Sequence, residues 1–107
     1  MKISVLDCTL RDGGYINNWK FPLNQIIRLL ESLDKSNVDI VELGYLNDKS
    51  EQDIDSTLFE SIEHINQNFK GLLTTAKPVV MINLFDFDID KLVTRKDSIV
   101  EGIRYGY

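Results

Sequence analysis

The sequence contains very little of the chemistry that usually builds a metal site or a cross-linked fold. One cysteine, Cys8, and one histidine, His64, occur among its 107 residues. A single cysteine cannot form an internal disulfide, and this pair cannot supply the four ligands of a structural zinc site. Any metal bound here must therefore be held by carboxylates, by water or by groups outside these residues.

Long apolar runs, a secretory signal and basic clusters are also missing. An apolar run such as residues 78–84 is far shorter than the roughly 20 residues that cross a bilayer. The opening MKISVLD lacks the apolar core of a signal peptide, so we expect a cytoplasmic protein with no membrane partner. The net charge of -5, with no basic cluster, does not favour nucleic acid as a partner.

Short apolar or β-branched runs alternate with segments of helical periodicity. The runs predict strands at residues 3–7, 38–45, 79–84 and 102–107. A helix is predicted after Pro22 and a second one further on, from apolar residues at helical spacing: Leu23, Ile26, Ile27, Leu30 and Leu33, then Leu58, Ile62, Ile65 and Phe69. A third, short helix is predicted at 88–93. Apolar strands separated by helices are typical of a parallel sheet covered by helices, an α/β fold.

This alternation fits either a small doubly wound domain or the first half of a (β/α)₈ barrel, about strands 1–4. A complete barrel typically needs about 250 residues. The sequence also stops at Tyr107, inside a predicted strand. We therefore expect residues 1–107 to form one partial domain of a truncated chain.

The segment LDCTLRDGGY, at the end of the first predicted strand, carries the chemistry. We expect Arg11 and Asp12 to lie in a loop there, with Gly13 and Gly14 allowing a tight backbone. A carboxylate there can hold a divalent cation, and a guanidinium can stabilise the enolate of a 2-oxo acid. An ordinary ion pair at a strand end explains the two residues about as well.

The string DCTLRDGG resembles the signature of TIM-barrel metallolyases, which include 4-hydroxy-2-oxovalerate aldolase, hydroxymethylglutaryl-CoA lyase, isopropylmalate synthase and homocitrate synthase. The longer DCTLRDGGYINNWKF is more similar to the aldolase-like proteins related to 4-hydroxy-2-oxovalerate aldolase. The similarity continues in order through VDIVELGY, VVMIN and GIRYGY. It implies the N-terminal half of a TIM (β/α)₈ barrel and a metal-dependent aldolase or lyase acting on a small 2-oxo acid or acyl substrate.

The resemblance also implies roles for individual residues. Arg11 would stabilise the enolate, Asp12 would bind Mg²⁺ or Mn²⁺, and Glu42 would face the same site. A buried structural carboxylate explains Glu42 about equally well. Aldolases of this kind have a basic histidine shortly after the Arg-Asp pair, where this sequence has Tyr15, a candidate proton donor.

The family completes its metal site with a His-x-His pair on a late strand, and these residues contain no such pair. One carboxylate is too few ligands for an octahedral site, so we expect the 107-residue chain to be inactive alone. The runner-up function is a non-catalytic half-barrel that pairs its open sheet edges with another copy or another chain. A phosphate-binding domain is not favoured, because Gly13-Gly14 lacks the spacing of the known phosphate fingerprints.

The remaining candidates favour structural roles. His64 is predicted to be a surface or packing residue and Cys8 a small buried one. Trp19 and Phe21 are expected to anchor the loop against the first helix, or else to line a substrate pocket. Three alternating acidic residues are expected to cap the short helix: Asp86, Asp88 and Asp90.

Overall fold

A computed structural model describes residues 5–13, 18–51, 53–83, 85–93 and 95–106 of the chain. Strands and helices alternate as the sequence predicts. In chain order the elements are β1 (Leu6–Asp7), α1 (Thr9–Asp12), α2 (Leu23–Lys35), β2 (Ile40–Leu46), β3 (Leu58–Phe59), α3 (Ile62–Phe69), β4 (Lys77–Asn83), two 3₁₀ turns (Ile89–Lys91 and Arg95–Asp97) and β5 (Gly102–Gly106).

All the strand pairs of this sheet are parallel, and the main strands follow chain order across it, as β1-β2-β4-β5. The short β3 lies off this path and pairs with the end of β2. A flavodoxin-like doubly wound sheet would instead place its second strand outside the first. The predicted α/β fold with a parallel sheet is therefore confirmed, and the strand order is consistent with half of a barrel.

One face of the sheet packs against the two long helices. Val41 of β2 and Val80 and Ile82 of β4 point to this face, because side chains alternate along a strand. They share one core cluster with the buried residues of both helices: Ile26, Leu30, Ile62, Ile65 and Phe69. Since both helices cover the same face, neither of them covers the opposite face of the sheet.

Gly44 produces a register shift in the middle of β2. Glu42 pairs with Val79 and Tyr45 with Met81, so β2 carries one more residue than β4 between these pairs. Gly44 has φ +153°, and a Cβ there would lie 2.0 Å from the Thr57 carbonyl oxygen. Only glycine allows this approach, which lets the Tyr45 N–H donate to that oxygen at 3.0 Å.

The two long helices begin in different ways. The N–H of Leu23, the first residue of α2, donates to Asp55 Oδ1 at 2.8 Å, so a distant residue supplies the cap. Ser61 caps α3 by accepting from the His64 N–H at 3.2 Å. The predicted start of this helix at Leu58 was wrong, because Leu58 pairs with Tyr45 in β3. Asp88 caps the first 3₁₀ turn, as predicted.

Other boundaries also differ from the predictions. Arg11 and Asp12 lie in the short helix α1 and not in a loop. Gly13 has an ordinary helical φ of -61°, and glycine is needed there because a Cβ would lie 2.7 Å from the Thr9 carbonyl oxygen. The first strand begins at Leu6, and β4 begins two residues early, before Pro78. The predicted strand residues 3, 4, 84 and 107 lie outside the described residues.

No helix within the described ranges is both long and apolar enough to cross a bilayer.

Asp34, near the end of α2, joins that helix to the segment before β4. Its carboxylate accepts from the backbone N–H groups of Thr74, Thr75 and Ala76 at 2.8 to 3.1 Å and from both threonine hydroxyls. The bond from the Ala76 N–H, followed by the bond from the Thr74 hydroxyl, holds the pKa of Asp34 well below its ordinary value.

Asp34→Asn is expected to lower the free energy of unfolding at pH 7, because a neutral amide accepts weaker hydrogen bonds than a carboxylate. The folded-state pKa lies below the unfolded value of about 3.9, so this stabilisation is present above that value and is lost as the pH falls through the folded-state pKa. Urea unfolding at pH 7 and pH 3 measures it. The difference in unfolding free energy between wild type and variant should be smaller at pH 3 than at pH 7. Asp90→Asn, at an exposed carboxylate, is the control and should match wild type at both pH values. An Asp34→Asn difference of the same size at both pH values would contradict the expectation.

Candidate active site

The face of the sheet that points away from the helices carries two rows of side chains. The lower row runs from Glu42 through Val79 to Gly102, and the upper row from Tyr45 through Met81 to Arg104. These residues share one face because each strand alternates and the parallel register aligns them. The upper row lies nearer the carboxyl ends of the strands, which is the end where barrel active sites are built.

Glu42 joins two arginines at this face. Its Oε1 lies 2.5 Å from Arg11 Nε, and its Oε2 accepts from Arg104 Nη1 at 2.5 Å. The Glu42 side chain is fully buried, whereas the Arg11 and Arg104 side chains are 16% and 45% exposed. The prediction that the first arginine and the strand glutamate share one centre agrees with this geometry, and their catalytic roles remain a prediction.

The cluster places two guanidiniums against one buried carboxylate. A buried carboxylate without partners is very costly, and Glu42 has an ion pair with Arg11 at one oxygen and a hydrogen bond from Arg104 at the other. The Arg104 side chain is still 45% exposed on the open face of the sheet.

Local structure holds Arg11 against Glu42. The helix α1 begins after Cys8, and Asp7 Oδ1 accepts from the Thr9 N–H at 3.0 Å, which satisfies a free donor of its first turn. The next residue, Leu10, is buried, and its carbonyl accepts from the hydroxyl of Thr57 at 3.1 Å. These two hydrogen bonds hold the short helix in place, so that Arg11 contacts Glu42 in the sheet.

Two aromatic rings lie over the same face. The rings of Trp19 and Tyr45 pack edge to face with centroids 5.8 Å apart, and Tyr45 is buried. Trp19 thus contacts β2, whereas Phe21 packs beside the core and near Gly13. This contact places Trp19 beside the candidate site, and both of its predicted roles, as an anchor of the loop and as a wall of the site, stay predictions.

Two of the predicted site side chains lie outside the described residues. Tyr15 lies outside the described residues, and Asp12 ends α1 with a side chain that also lies outside them. Sequence analysis gave no role to Arg104, which the structure brings to Glu42. The available signal was weak: position 104 follows Gly102 by two residues on a predicted strand, so the two share a face.

The part of the chain that the structure describes does not by itself fit a divalent metal. It holds no group of three or more His, Cys, Asp or Glu side chains placed to share an ion. Glu42 is engaged by two arginines. Asp12 remains the predicted ligand, and one carboxylate falls short of the six oxygen ligands that Mg²⁺ prefers.

The remaining sequence candidates have structural surroundings. His64 is 1% exposed, and its ring packs edge to face on Phe59 at 5.9 Å, so it is a packing residue. Cys8 is half-buried, more open than predicted. A cavity of about 330 Å³ lies at the amino end of β4, around Lys77 and Pro78, and Glu42 is not among its lining residues. In a barrel this end contributes stability and not chemistry.

Comparisons with known proteins give two similar proteins, and no family model matches the chain. The sequence is 36% identical over 98 residues, 92% of the chain, to the "Probable 2-isopropylmalate synthase" of Archaeoglobus fulgidus. The structure superposes on the "N-terminal domain of a putative aldolase from Bacteroides vulgatus" with a TM-score of 0.70 and 28% identity over 96% of the chain. The chain spans 18% of the synthase and 35% of the aldolase chain.

Glu42→Gln is expected to lower the free energy of unfolding by about 3 kcal/mol, because the neutral amide removes the buried negative charge that both Arg11 and Arg104 contact. Urea unfolding at neutral pH measures the change. Glu31→Gln, at an exposed position on α2, serves as the control and should change stability by less than about 0.5 kcal/mol. Equal stability of Glu42→Gln and wild type would show that the cluster is not a structural constraint.

Proposed function

We propose that this chain, whose sequence and structure are similar to the N-terminal part of a TIM-barrel metallolyase, supplies the enolate-stabilising half of a metal-dependent aldolase or lyase. Both similar proteins are consistent with that superfamily, and the resemblance carried by DCTLRDGG is thereby confirmed. The two similar proteins support an aldolase- or synthase-like protein. We further propose its activity and its substrate, given below, and a location in the cytoplasm.

The observation that carries the proposal is the contact between Arg11 and Glu42. A guanidinium already held by a buried carboxylate needs little rearrangement when negative charge develops beside it. Removal of a proton next to a carbonyl group produces such a charge on the carbonyl oxygen. Arg11, mostly buried but still 16% exposed, is suited to hold this oxygen while the carbon-carbon bond forms or breaks.

The resemblance implies a divalent metal, Mg²⁺ or Mn²⁺, with Asp12 as its ligand from this chain. Such an ion would polarise the substrate carbonyl as a Lewis acid. Further ligands would have to come from groups other than the described residues, which hold no cluster that could complete the site. Tyr15 is proposed as a proton donor near the motif. The proposed substrate is a small 2-oxo acid or acyl compound, and the 107-residue chain alone is proposed to be inactive.

The proposal predicts turnover by the protein as its gene encodes it and none by residues 1–107 alone. With Mg²⁺ or Mn²⁺, the encoded protein should release pyruvate from a 4-hydroxy-2-oxo acid or condense a 2-oxo acid with an acyl thioester, and chelation should abolish this. In that protein Arg11→Lys should lower kcat about 100-fold, because lysine lacks the planar fork that holds both Glu42 and the enolate.

The matched control is Arg28→Lys, at an exposed position on α2, which should leave kcat unchanged. A coupled assay for pyruvate measures release. Release by the 107-residue chain itself would refute the proposed incompleteness, and full activity of Arg11→Lys would refute the role of Arg11. An in-frame continuation of the gene with a His-x-His pair would support the metal site.

A second candidate function is a non-catalytic half-barrel that pairs its sheet edges with a second copy. The observation in its favour is that β1 and β5 form the two ends of the strand order, each with an exposed apolar residue. Leu6 on β1 is 41% exposed and Tyr105 on β5 is 52% exposed. An uncovered edge strand of this kind is a template for pairing with another strand.

If edge pairing occurs, the wild-type chain should sediment as a dimer, and Tyr105→Lys should sediment as a monomer, because a charge on an edge strand opposes strand addition. Analytical ultracentrifugation distinguishes the two states. Phe85→Lys is the matched control, since Phe85 is 86% exposed but lies outside β5 and should leave the dimer intact. A monomeric wild type at high protein concentration would rule out this function.

A further inference from the structure

Large apolar side chains lie exposed around one groove at the carboxyl ends of β4 and β5. The exposed fraction is 86% for Phe85, 56% for Ile89 and 52% for Tyr105. All three residues line a groove of about 620 Å³, together with Asn83 at the end of β4. Monomeric soluble proteins rarely expose large contiguous apolar patches, so this groove is a candidate interaction surface.

The exposed ring of Phe85 comes with a strained backbone. Phe85 has φ +70°, in the left-handed region that favours glycine and is unfavourable for a bulky side chain. The Asp86 N–H donates to the Asn83 carbonyl at 3.0 Å, and this bond closes the turn that contains Phe85. Glycine would adopt this turn more easily, and a ring that is 86% exposed adds little to the core. The needs of the fold therefore do not explain a phenylalanine at this position.

Asp48 holds the segment that carries the groove in one arrangement. Its N–H donates to the Asp86 carbonyl at 3.0 Å, and its Oδ2 accepts from the Asp88 N–H at 2.8 Å. Phe87 is buried in the core and anchors the same segment. The exposed side chains are thus presented by an ordered segment, which lowers the entropy cost of binding a partner.

The charged side chains that line the groove are acidic. Asp88 and Asp90 are both exposed there, and none of the described lining residues is a lysine or an arginine. The next residue, Lys91, has its ammonium 3.4 Å from Asp48. An apolar groove with acidic residues beside it is complementary to a partner that carries apolar and basic side chains together.

We propose that this groove binds a basic amphipathic helix of a partner protein. The apolar face of the helix covers Phe85, Ile89 and Tyr105, and its lysines or arginines face Asp88 and Asp90. A helix satisfies its own backbone hydrogen bonds and can fill a groove walled by side chains, whereas an added strand needs the backbone of a sheet edge. The proposal is independent of the catalytic role proposed above.

A synthetic helix tests the proposal on the protein as its gene encodes it. The probe is a fluorescein-labelled peptide of about 14 residues, with leucines at helical spacing on one face and lysines on the other. Fluorescence anisotropy measures its affinity. Wild type should bind it, and Ile89→Ser should bind it at least about tenfold more weakly, because an apolar contact in the groove is lost. Ile54→Ser, at an isoleucine that is 54% exposed outside the groove, should bind like wild type.

Phe85→Gly separates binding from folding. Glycine adopts φ +70° without strain, so this variant should fold as well as wild type and bind the peptide at least about tenfold more weakly. Circular dichroism checks the folding of each variant. Unchanged affinity in a folded Phe85→Gly or Ile89→Ser would overturn the proposal, and so would a wild type that does not bind the peptide.

The contribution of the acidic residues is measured in the same assay. Asp90→Asn should weaken binding about threefold at low salt, and added salt should reduce this difference, because salt screens exposed charges. Glu31→Gln, at an exposed position on α2, is the matched control and should bind like wild type. A peptide of the same composition with its leucines spread around the helix should bind at least about tenfold more weakly. Equal binding of both peptides would show only a general attraction of cations to an acidic chain and would overturn the proposal.

Two other occupants of the groove are outcomes of the test. If a second copy fills it, wild type should sediment as a dimer and Ile89→Ser as a monomer, which would overturn the proposal. If further residues of the encoded protein fill it, residues 1–107 alone should bind the peptide and the encoded protein should not, which would overturn it as well. Full turnover in Arg11→Lys would refute the proposed function and leave this inference standing.

Discussion

The structure depends on one buried charge. Glu42 lies in the middle of the central strand β2 with no exposed surface, and a carboxylate in that position is tolerated only with close positive partners. The partners come from opposite ends of the sheet, Arg11 from the helix after β1 and Arg104 from β5. The same requirement that stabilises the carboxylate therefore brings two guanidiniums to one point, although they are 93 residues apart in sequence.

Much of the fold was predictable, because local patterns of apolar residues predict its main elements. The apolar spacing of α2 and the continuous apolar runs of β2 and β4 each predict the correct element, and their alternation predicts a parallel sheet. What local patterns could not show are the distant contacts. Asp55 caps α2, Asp34 holds the segment before β4, and β3 interrupts an expected helix start.

The candidate site divides in the same way. Arg11 and Glu42 stand in strings that resemble a known family, so they could be selected from sequence and are found in contact. Arg104 was overlooked, since an isolated arginine on a strand has no distinctive spacing. Its importance depends on a partner 62 positions away, and that distance is closed only when β2, β4 and β5 align side by side. Sequence patterns identify residues that belong to a motif, and they miss residues that meet a partner only when distant strands align in the sheet.

The extra residue at Gly44 changes how β2 should be engineered. In a regular strand, the side chains at positions 42, 44 and 46 would all point to the face that carries the candidate site, and substitutions meant to reshape the site would be chosen among them. The offset instead makes 42 and 45 the two inward positions and turns Leu46 into the core. A new side chain intended for a ligand therefore belongs in place of Tyr45, whereas a residue larger than glycine at 44 would collide with the backbone of the neighbouring segment before it reached the cavity.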